Sequence, residues 1–177
     1  MKYTILTLLT TLIALSCKNT GVGPELAKNL ILNSTFQDHL LPSLKGWTVK
    51  DSSGLHFSKD IPSEGSGYSL DFSVPFTSIY TALTGLTGTH QYRLSVFAKS
   101  EDVLSGSVFM EIHYHDGSRR SIHYSSVGDT LWTLHSSKDT LEMNGLDTIF
   151  IYINGAGLAR IPPASVYFNT CKFEQLD

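Results

Sequence analysis

The sequence is poor in cysteine, because its 177 residues include only Cys17 and Cys171. No Cys-x-x-Cys pair and no zinc-finger spacing occurs, so the sequence offers no motif for a structural zinc site. Cys171 lies within residues 166–173, where apolar residues alternate with others. We interpret Cys171 as a small buried hydrophobic residue rather than a reactive thiol.

Charge is also scarce. Charged residues make up 16% of the chain and the net charge is −3, which gives no electrostatic reason to expect a nucleic-acid partner. The chain has neither a Gly-x-Ser-x-Gly motif nor a phosphate-binding loop, so the enzyme classes that depend on them have no signature here. The hydrophobic fraction of 41% is typical of a globular protein.

The N-terminus has the pattern of a secretory leader. Met1-Lys2 is followed by an apolar stretch over residues 5–15, which is shorter than the roughly 20 residues that a transmembrane helix needs. The stretch closes on Ala14-Leu15-Ser16-Cys17, which resembles a lipobox, the motif whose cysteine takes diacylglycerol and becomes the new N-terminus. The resemblance departs from the usual motif, which has Leu in place of Ala14 and a small residue in place of Leu15. An ordinary signal peptide with an incidental cysteine is the alternative.

This leader divides the chain into three segments. Residues 1–16 are predicted to be a lipoprotein signal peptide, and residues 17–28 an acylated cysteine with a short, polar, flexible tether. Residues 29–177 are predicted to form a single domain, which is long enough to bury one core. Once Cys17 is acylated, Cys171 has no partner for an internal disulfide.

The domain lacks helical periodicity, and short alternating runs recur between Gly, Asp and Ser clusters instead. This pattern predicts an all-β protein, a two-sheet antiparallel β-sandwich in which the strands bury their apolar sides between the sheets. The clearest predicted strands are Tyr68–Val74, Tyr92–Lys99, Ser107–His115, Arg119–Ser125, Thr148–Asn154 and Val166–Phe173.

Two of these strands are predicted to form a hairpin. A three-residue turn at Asp116-Gly117-Ser118, with Gly117 free to take a positive φ, would pair Tyr114 with Arg120 and Ile112 with Ile122. This register gathers the apolar residues on one side, whereas a two-residue turn would mix the two sides. We therefore predict a bulged hairpin.

The opposite sides of several strands carry aromatic and polar residues rather than the Lys, Glu and Thr of a typical solvated face. This composition indicates a binding surface or a face covered by loops, for which the long Gly/Ser-rich segment 37–66 is available. The outward residues are Arg93, Ser95, Phe97 and Lys99, then Phe109, Glu111, His113, His115, Arg119, Ser121 and His123, and finally Phe150, Tyr152 and Asn154.

Several motifs, taken in order, resemble carbohydrate-binding modules of the type 4, 9 and 22 group. The motifs are Asn29-Leu-Ile-Leu-Asn33-Ser-Thr-Phe36-Gln37 followed by Gly46-Trp47-Thr48, Tyr80-x-x-Leu83-x-Gly85-Leu86 followed by Tyr92-Arg-Leu-Ser95-Val-Phe97-Ala98-Lys99, Leu131-Trp132-Thr133, and Ser165-Val-Tyr-Phe-Asn169-Thr-Cys-Lys-Phe173-Glu174. The likeness spans residues 29–177. It implies a jelly roll of the galactose-binding-like class.

Modules of this group often hold a structural calcium, which the resemblance would place near Gln37 and Asn169. Both positions are neutral here, although calcium prefers several oxygen ligands that include carboxylates. We therefore expect no cofactor, and a structural calcium is disfavoured. Trp47 and Trp132, which are possible sugar platforms, are expected to lie in the core because of their places in the motifs.

The residues favoured for ligand binding combine rings with hydrogen-bonding groups. Aromatic planes pack against the CH-rich faces of sugars, while polar side chains orient the hydroxyl groups. The predicted stacking residues are Phe97, Phe109 and Tyr152. The predicted hydrogen-bonding residues are Arg93, Glu111, His113, His123 and Asn154.

Two other interpretations of the histidines remain open. His113, His115 and His123 together with Glu111 form a plausible zinc ligand set across adjacent strands. Alternatively, Glu111 beside His123 would form an acid/base pair. A glycosidase needs two carboxylates that flank the scissile bond, and the acidic candidates near Glu111, namely Asp116 and Asp129, lie in loops. We therefore predict that the protein is not an enzyme.

The sequence thus predicts a lipid-anchored, non-catalytic carbohydrate-binding protein of the bacterial cell envelope. Its expected partners are a polysaccharide or oligosaccharide and, through the lipid, the outer membrane on its periplasmic or surface side. The alternative is a structural or interaction lipoprotein that docks an envelope protein through the same sandwich face, since one fold hosts both uses.

Overall fold

A computed structural model of the chain describes residues 27–74, 77–101, 106–155 and 165–177, apart from the side chains of residues 123–126. The predicted signal peptide, Cys17 and nearly all of the predicted tether lie outside these ranges. In the part of the chain that is described, the secondary structure consists of strands, and no helix is long and apolar enough to cross a membrane.

The described strands form two five-stranded antiparallel sheets and a small two-stranded ladder. Sheet I has the order β10-β7-β12-β5-β4, sheet II has the order β3-β6-β11-β8-β9, and β1 pairs with β2. The strands are β1 (Gln37–Asp38), β2 (Leu41–Pro42), β3 (Thr48–Val49), β4 (Leu55–Ser58), β5 (Ser69–Phe72), β6 (Ser78–Thr84), β7 (Thr87–Ser100), β8 (Ser107–His113), β9 (Arg119–Ser126), β10 (Thr133–Asn144), β11 (Thr148–Asn154) and β12 (Val166–Gln175).

The core lies between the two sheets and follows the predicted alternation. In β7 of sheet I, the side chains of Tyr92, Leu94, Val96 and Ala98 are buried. In β11 of sheet II, Ile149, Ile151 and Ile153 have no exposed surface. Burial of each such aliphatic side chain stabilises the fold by about 1.5–3 kcal/mol. The predicted two-sheet antiparallel β-sandwich is confirmed, and it is a jelly roll.

The six predicted strands are all present, and Thr148–Asn154 has the predicted bounds. The strands that were not predicted from alternation are short, are polar over much of their inner side, or, as in β6, have a buried polar residue, Thr81, between Ile79 and Leu83. β1 to β4 have only two to four residues each. On the inner side of β10, His135, Ser137 and Asp139 precede the buried Leu141 and Met143. The inward residues of β10 are therefore apolar only near the end of the strand.

The β8–β9 register differs from the prediction by two residues. Ile112 pairs with Arg120 rather than Ile122, because residues 114–118 form a longer turn. In this turn the Tyr114 N–H donates to the Ser118 carbonyl at 3.0 Å, and Tyr114 packs against the core instead of joining the ladder. The bulge lies farther along, between Val108 and Phe109. A shift of two residues keeps the paired side chains from Phe109 to His113 on their predicted sides, since side chains alternate with a period of two.

The two tryptophans have different environments. Trp47 is buried as predicted, with its ring centroid 5.5 Å from that of Phe36 and its indole N–H donating to the Asn33 carbonyl at 2.9 Å. The core prediction is wrong for Trp132, which is only partly buried. Trp132 directly precedes β10, and its indole N–H donates to the Asp60 carboxylate at 3.1 Å.

Cys171 is fully buried in the core cluster, as the alternating pattern predicted. Burial raises the pKa of its thiol to about 12, because a thiolate is poorly solvated there. The thiol is therefore protonated at neutral pH and is inert as a nucleophile.

Candidate functional site

The sandwich separates the predicted ligand-binding residues onto its two outer faces. Phe109, Glu111 and His113 of β8 and Tyr152 and Asn154 of β11 alternate with buried residues of sheet II. Arg93 and Phe97 alternate with buried residues of β7, which belongs to sheet I. The expectation of one shared face is wrong, because β7 pairs with β10 and β12 rather than with β8 or β11. His123 pairs with Phe109 through the backbone, and its side chain lies outside the described residues.

On the outer face of sheet II, three rings form a row across three adjacent strands. Tyr80 of β6 pairs with Tyr152 of β11, and Tyr152 pairs with Phe109 of β8. The Phe109 and Tyr152 rings are stacked, with centroids 4.7 Å apart and an interplanar angle of 10°. The Tyr80 and Tyr152 centroids are 5.3 Å apart. We call Tyr80, Tyr152 and Phe109 the aromatic row; each ring is partly exposed.

Two residues of this face, Tyr80 and Phe150, were not predicted to be site residues. Tyr80 belongs to β6, which was not among the predicted strands, although Tyr80 occurs in the motif quoted above. Phe150 was placed on the outward side but was not chosen as a platform. Its ring lies next to the row, with its centroid 5.8 Å from that of Tyr80 and 4.6 Å from that of His113. The alternation of β11 alone was sufficient to indicate Phe150.

A charged cluster borders the aromatic row. The Glu111 carboxylate lies 2.5 Å from His113 Nε2 and 3.5 Å from Arg119 Nη1. The Glu111 side chain is only 18% exposed, and both partners contact its Oε1 atom, which fixes the orientation of the carboxylate. A sugar hydroxyl is a suitable donor to such an oriented carboxylate.

The hydroxyl of Tyr152 remains a hydrogen-bond donor at neutral pH. Burial raises its pKa above the usual value, and the negative charge of Glu111 and the neighbouring Tyr80 raise it further. The Lys50 ammonium lies 4.9 Å from the centroid of the Tyr152 ring, which is a cation–π distance. At the other end of β11, Asn154 Nδ2 donates to Ser107 Oγ at 3.3 Å. The row is therefore surrounded by both donors and acceptors.

The zinc and acid/base interpretations gain no support from the described residues. Among them, no three His, Cys, Asp or Glu residues are arranged to hold a metal ion. His115 does not extend the outer face of sheet II as predicted, because it lies in the turn after β8 with Nδ1 3.2 Å from Asp147 Oδ1. Glu111 pairs with His113 on its own strand.

The residues at the implied calcium position do not fit a cation. Asn169 Nδ2 donates hydrogen bonds to the backbone carbonyls of Ser66 at 2.9 Å and Tyr68 at 2.8 Å. A cation that took these carbonyl oxygens as ligands would have to compete with the Asn169 amide hydrogens. At Gln37 the backbone N–H donates to Asn33 Oδ1 at 2.9 Å. Asn169 is fully buried and cross-links the loop before β5 to β12 without a charge.

A cleft of about 670 Å³ lies at one end of the sandwich, between the β8–β9 turn and the β10–β11 turn. Two of its charged groups, Arg120 and Asp147, already have partners. Arg120 Nη2 donates to Asp139 at 3.1 Å, and buried Asp147 accepts the backbone N–H groups of His115 and Asn144. Burial alone would raise the pKa of Asp147, but these hydrogen bonds outweigh it and lower the pKa. We therefore regard the aromatic row as the better candidate site.

The fold is similar to those of several carbohydrate-binding modules of known structure. It matches TmCBM61 in complex with β-1,4-galactotriose at 16% identity and a TM-score of 0.54, covering 84% of this chain and 99% of that chain. It matches a family 16 carbohydrate-binding module at 16% identity and a TM-score of 0.59, covering 82% and 99%. It also matches the CBM22-1 xylan-binding domain of Paenibacillus barcinonensis Xyn10C at 12% identity and a TM-score of 0.57, covering 81% and 92%. No protein-family model and no curated protein matches the chain. These similarities show the fold.

Proposed function

We propose that the protein binds carbohydrate without catalysis, through the outer face of sheet II. The observation that carries this proposal is the aromatic row, in which partly exposed rings cross three neighbouring strands beside oriented polar groups. Neighbouring strands lie about 4.8 Å apart, so the row presents apolar surface over roughly 10 Å. This length suits an oligosaccharide that runs across the strands.

The neighbours in fold support this ligand class. One of them is described with bound β-1,4-galactotriose and another as a xylan-binding domain, and each is covered over more than nine tenths of its length. We infer that the ligand is likewise a neutral oligosaccharide or polysaccharide chain.

In the proposed complex, the CH-rich faces of the sugar rings pack against the exposed parts of the row, because the Phe109 ring already stacks on one face of Tyr152. The Glu111 carboxylate accepts a hydrogen bond from a sugar hydroxyl, while the Tyr152 hydroxyl and the Lys50 ammonium donate. Among the outward-facing described residues of sheet II, Glu111 is the only carboxylate. Hydrolysis of a glycosidic bond generally uses two carboxylates, so these residues support binding rather than cleavage.

The proposal is tested with the chain from Lys18 onward, which retains every described residue. We expect it to be retarded in affinity gels that contain xylan or β-1,4-galactan, and to release heat when titrated with xylohexaose or β-1,4-galactotriose. Serum albumin, run in the same gels, is the control for non-specific retardation. No retardation in any polysaccharide of a broad panel would contradict the proposal and favour docking of a protein partner.

We further propose that Cys17 carries a lipid and that the protein is anchored to the bacterial cell envelope, on the periplasmic or the surface side. The support is the apolar stretch over residues 5–15, which ends at Cys17. When the full chain is expressed in a bacterium, Cys17→Ser is expected to move the mature domain from the membrane fraction to the soluble fraction. Radiolabelled palmitate should label the wild type and not the variant. Membrane association that persists in Cys17→Ser would contradict the anchor.

A further inference from the structure

The outer face of sheet I, opposite the aromatic row, contains a second cleft of about 260 Å³. Its floor is formed by outward side chains of β7, β10 and β12, and the loop between β4 and β5 contributes Glu64 to its lining. None of the proposed contacts of the aromatic row lies in this cleft. Phe97 and Arg93, which the sequence placed with the ligand-binding residues, both line it.

We propose that this cleft is a second binding site for a neutral sugar unit. Its apolar platform is Phe97, which is partly exposed on the central part of the sheet. Phe97 pairs with Leu134 of β10 on one side, and Leu134 is 51% exposed. On its other side Phe97 pairs with the buried Asn169 of β12. The Phe97 ring therefore offers an apolar surface that continues onto the exposed Leu134 on one side and ends at the buried Asn169 on the other.

Hydroxyl and ammonium groups lie beside the platform. Ser95 and Ser136 pair with each other in the next row of side chains, and both line the cleft. Lys172 pairs with Ser95 from the other side. Among the described residues, the Lys172 ammonium has neither a hydrogen bond nor an ion pair, so its donors are available to a ligand.

The charges of the cleft favour a neutral occupant. Arg93 donates to the Glu174 carboxylate through Nε at 3.0 Å and Nη2 at 2.7 Å, so these two charges neutralise each other. Glu64 and Lys172 contribute one further charge of each sign. An acidic or basic ligand would gain no net attraction from such a lining, whereas a sugar uses these groups as acceptors and donors.

The loop that bears Glu64 is held to the sheet at both of its ends. The Asn169 side chain binds the carbonyls of Ser66 and Tyr68 after Glu64. Before Glu64, the Asp60 carboxylate forms an ion pair with Lys99 and accepts the Trp132 indole N–H. The loop that bears Glu64 forms one wall of the cleft, and these contacts hold it in place before a ligand arrives. A wall that is already ordered lowers the entropy cost of binding.

Two sites on opposite faces of one sandwich would allow a single domain to bridge two polysaccharide chains. This inference rests on the proposed function only in the class of ligand, since the residues of the two sites are different.

The test is a titration followed by two-dimensional ¹H–¹⁵N NMR, with the chain from Lys18 onward and with xylohexaose and β-1,4-galactotriose as probes. We expect the amide signals around Phe97 and Ser136 to shift, and to shift in the same way in Tyr152→Ala. In Phe97→Ala these shifts should require an about tenfold higher sugar concentration. The control variant Phe57→Ala removes a partly exposed ring of β4 that lines neither site, and should bind as the wild type does.

The outcomes separate this inference from the proposed function. Shifts confined to sheet II would overturn the second site and leave the proposed function standing. Shifts confined to the cleft of sheet I would support the second site and contradict the role of the aromatic row. The absence of shifts on both faces, with both probes and with fragments of every polysaccharide in the panel, would overturn the two proposals together. Shifts at Phe97 that vanish in Tyr152→Ala would also overturn the second site, because they would then report binding at sheet II.

Discussion

Tyr152→Ala is expected to weaken oligosaccharide binding at the aromatic row by about tenfold or more. Stacking of an aromatic ring contributes on the order of 1 kcal/mol beyond its buried area, and Tyr152 is the central ring of the aromatic row. Its removal also leaves the Phe109 and Tyr80 rings without their common neighbour. Isothermal titration calorimetry with the oligosaccharide that binds best measures the change.

Two control variants identify the cause of that loss. Tyr152→Phe keeps the ring and removes the hydroxyl, so we expect it to retain most of the affinity if stacking dominates. Phe57→Ala removes a ring that is 38% exposed at the sheet edge and should not change the affinity. Thermal unfolding of each variant shows whether the fold is kept. An unchanged affinity in folded Tyr152→Ala would contradict the role of the aromatic row.

Asn169→Asp is expected to lower the free energy of unfolding by about 3–5 kcal/mol at neutral pH, because it places an uncompensated charge in a buried site. The wild-type amide donates to the carbonyls of Ser66 and Tyr68, and its oxygen accepts the Thr170 hydroxyl at 2.5 Å. A carboxylate has no hydrogens for the two carbonyls and would face their lone pairs. Urea unfolding followed by tryptophan fluorescence measures the loss.

The pH dependence of that loss has a definite sign. The carbonyls and the burial would raise the pKa of the new carboxyl in the folded state above its value of about 3.9 in the unfolded state. A group of this kind is least destabilising below its unfolded pKa, and its cost grows as the pH rises. The variant should therefore lose the most stability at neutral pH and the least in acid.

Asn154→Asp is the matched control for Asn169→Asp. Asn154 is only partly buried and donates one hydrogen bond, to the Ser107 hydroxyl, which can donate to a carboxylate in return. We expect this variant to change the stability by less than about 1 kcal/mol. Equal stability losses in the two variants would contradict a special role of Asn169.

For the wild type we expect the same unfolding temperature with calcium and with a chelator, because the Asn169 amide hydrogens already bond to the carbonyls of Ser66 and Tyr68.

The direction of the side chains could be predicted along several strands from the sequence alone. Alternation in a strand is a local property, so the inward residues of β7 and β11 and the outward Phe109, Glu111 and Tyr152 follow from their spacing. The same rule explains why a register error of two residues in the β8–β9 hairpin left the paired side chains from Phe109 to His113 on their predicted sides. The buried Cys171 and Trp47 followed from the alternation and from the quoted motif.

The sheet to which each strand belongs could not be predicted in this way. Phe97 and Phe109 are both outward residues of neighbouring strands in the sequence, yet they lie on opposite faces of the sandwich. The partners of β7 are β10 and β12, which are distant along the chain, and no local pattern encodes such a choice. The position of Trp132 depends in the same way on Asp60, which is far from it in sequence.

By itself, the sequence determined the all-β class, the inner and outer sides of the principal strands, and the ring-rich composition of the outer side, because each depends on the identity and spacing of neighbouring residues. Only the tertiary structure decided that Tyr80 joins Tyr152 and Phe109 in one row, that Arg93 and Phe97 lie in a separate cleft, and that Asn169 cross-links a distant loop. These features depend on the pairing of strands that are remote in sequence, where the free energy comes from packing of the whole sandwich rather than from local preference.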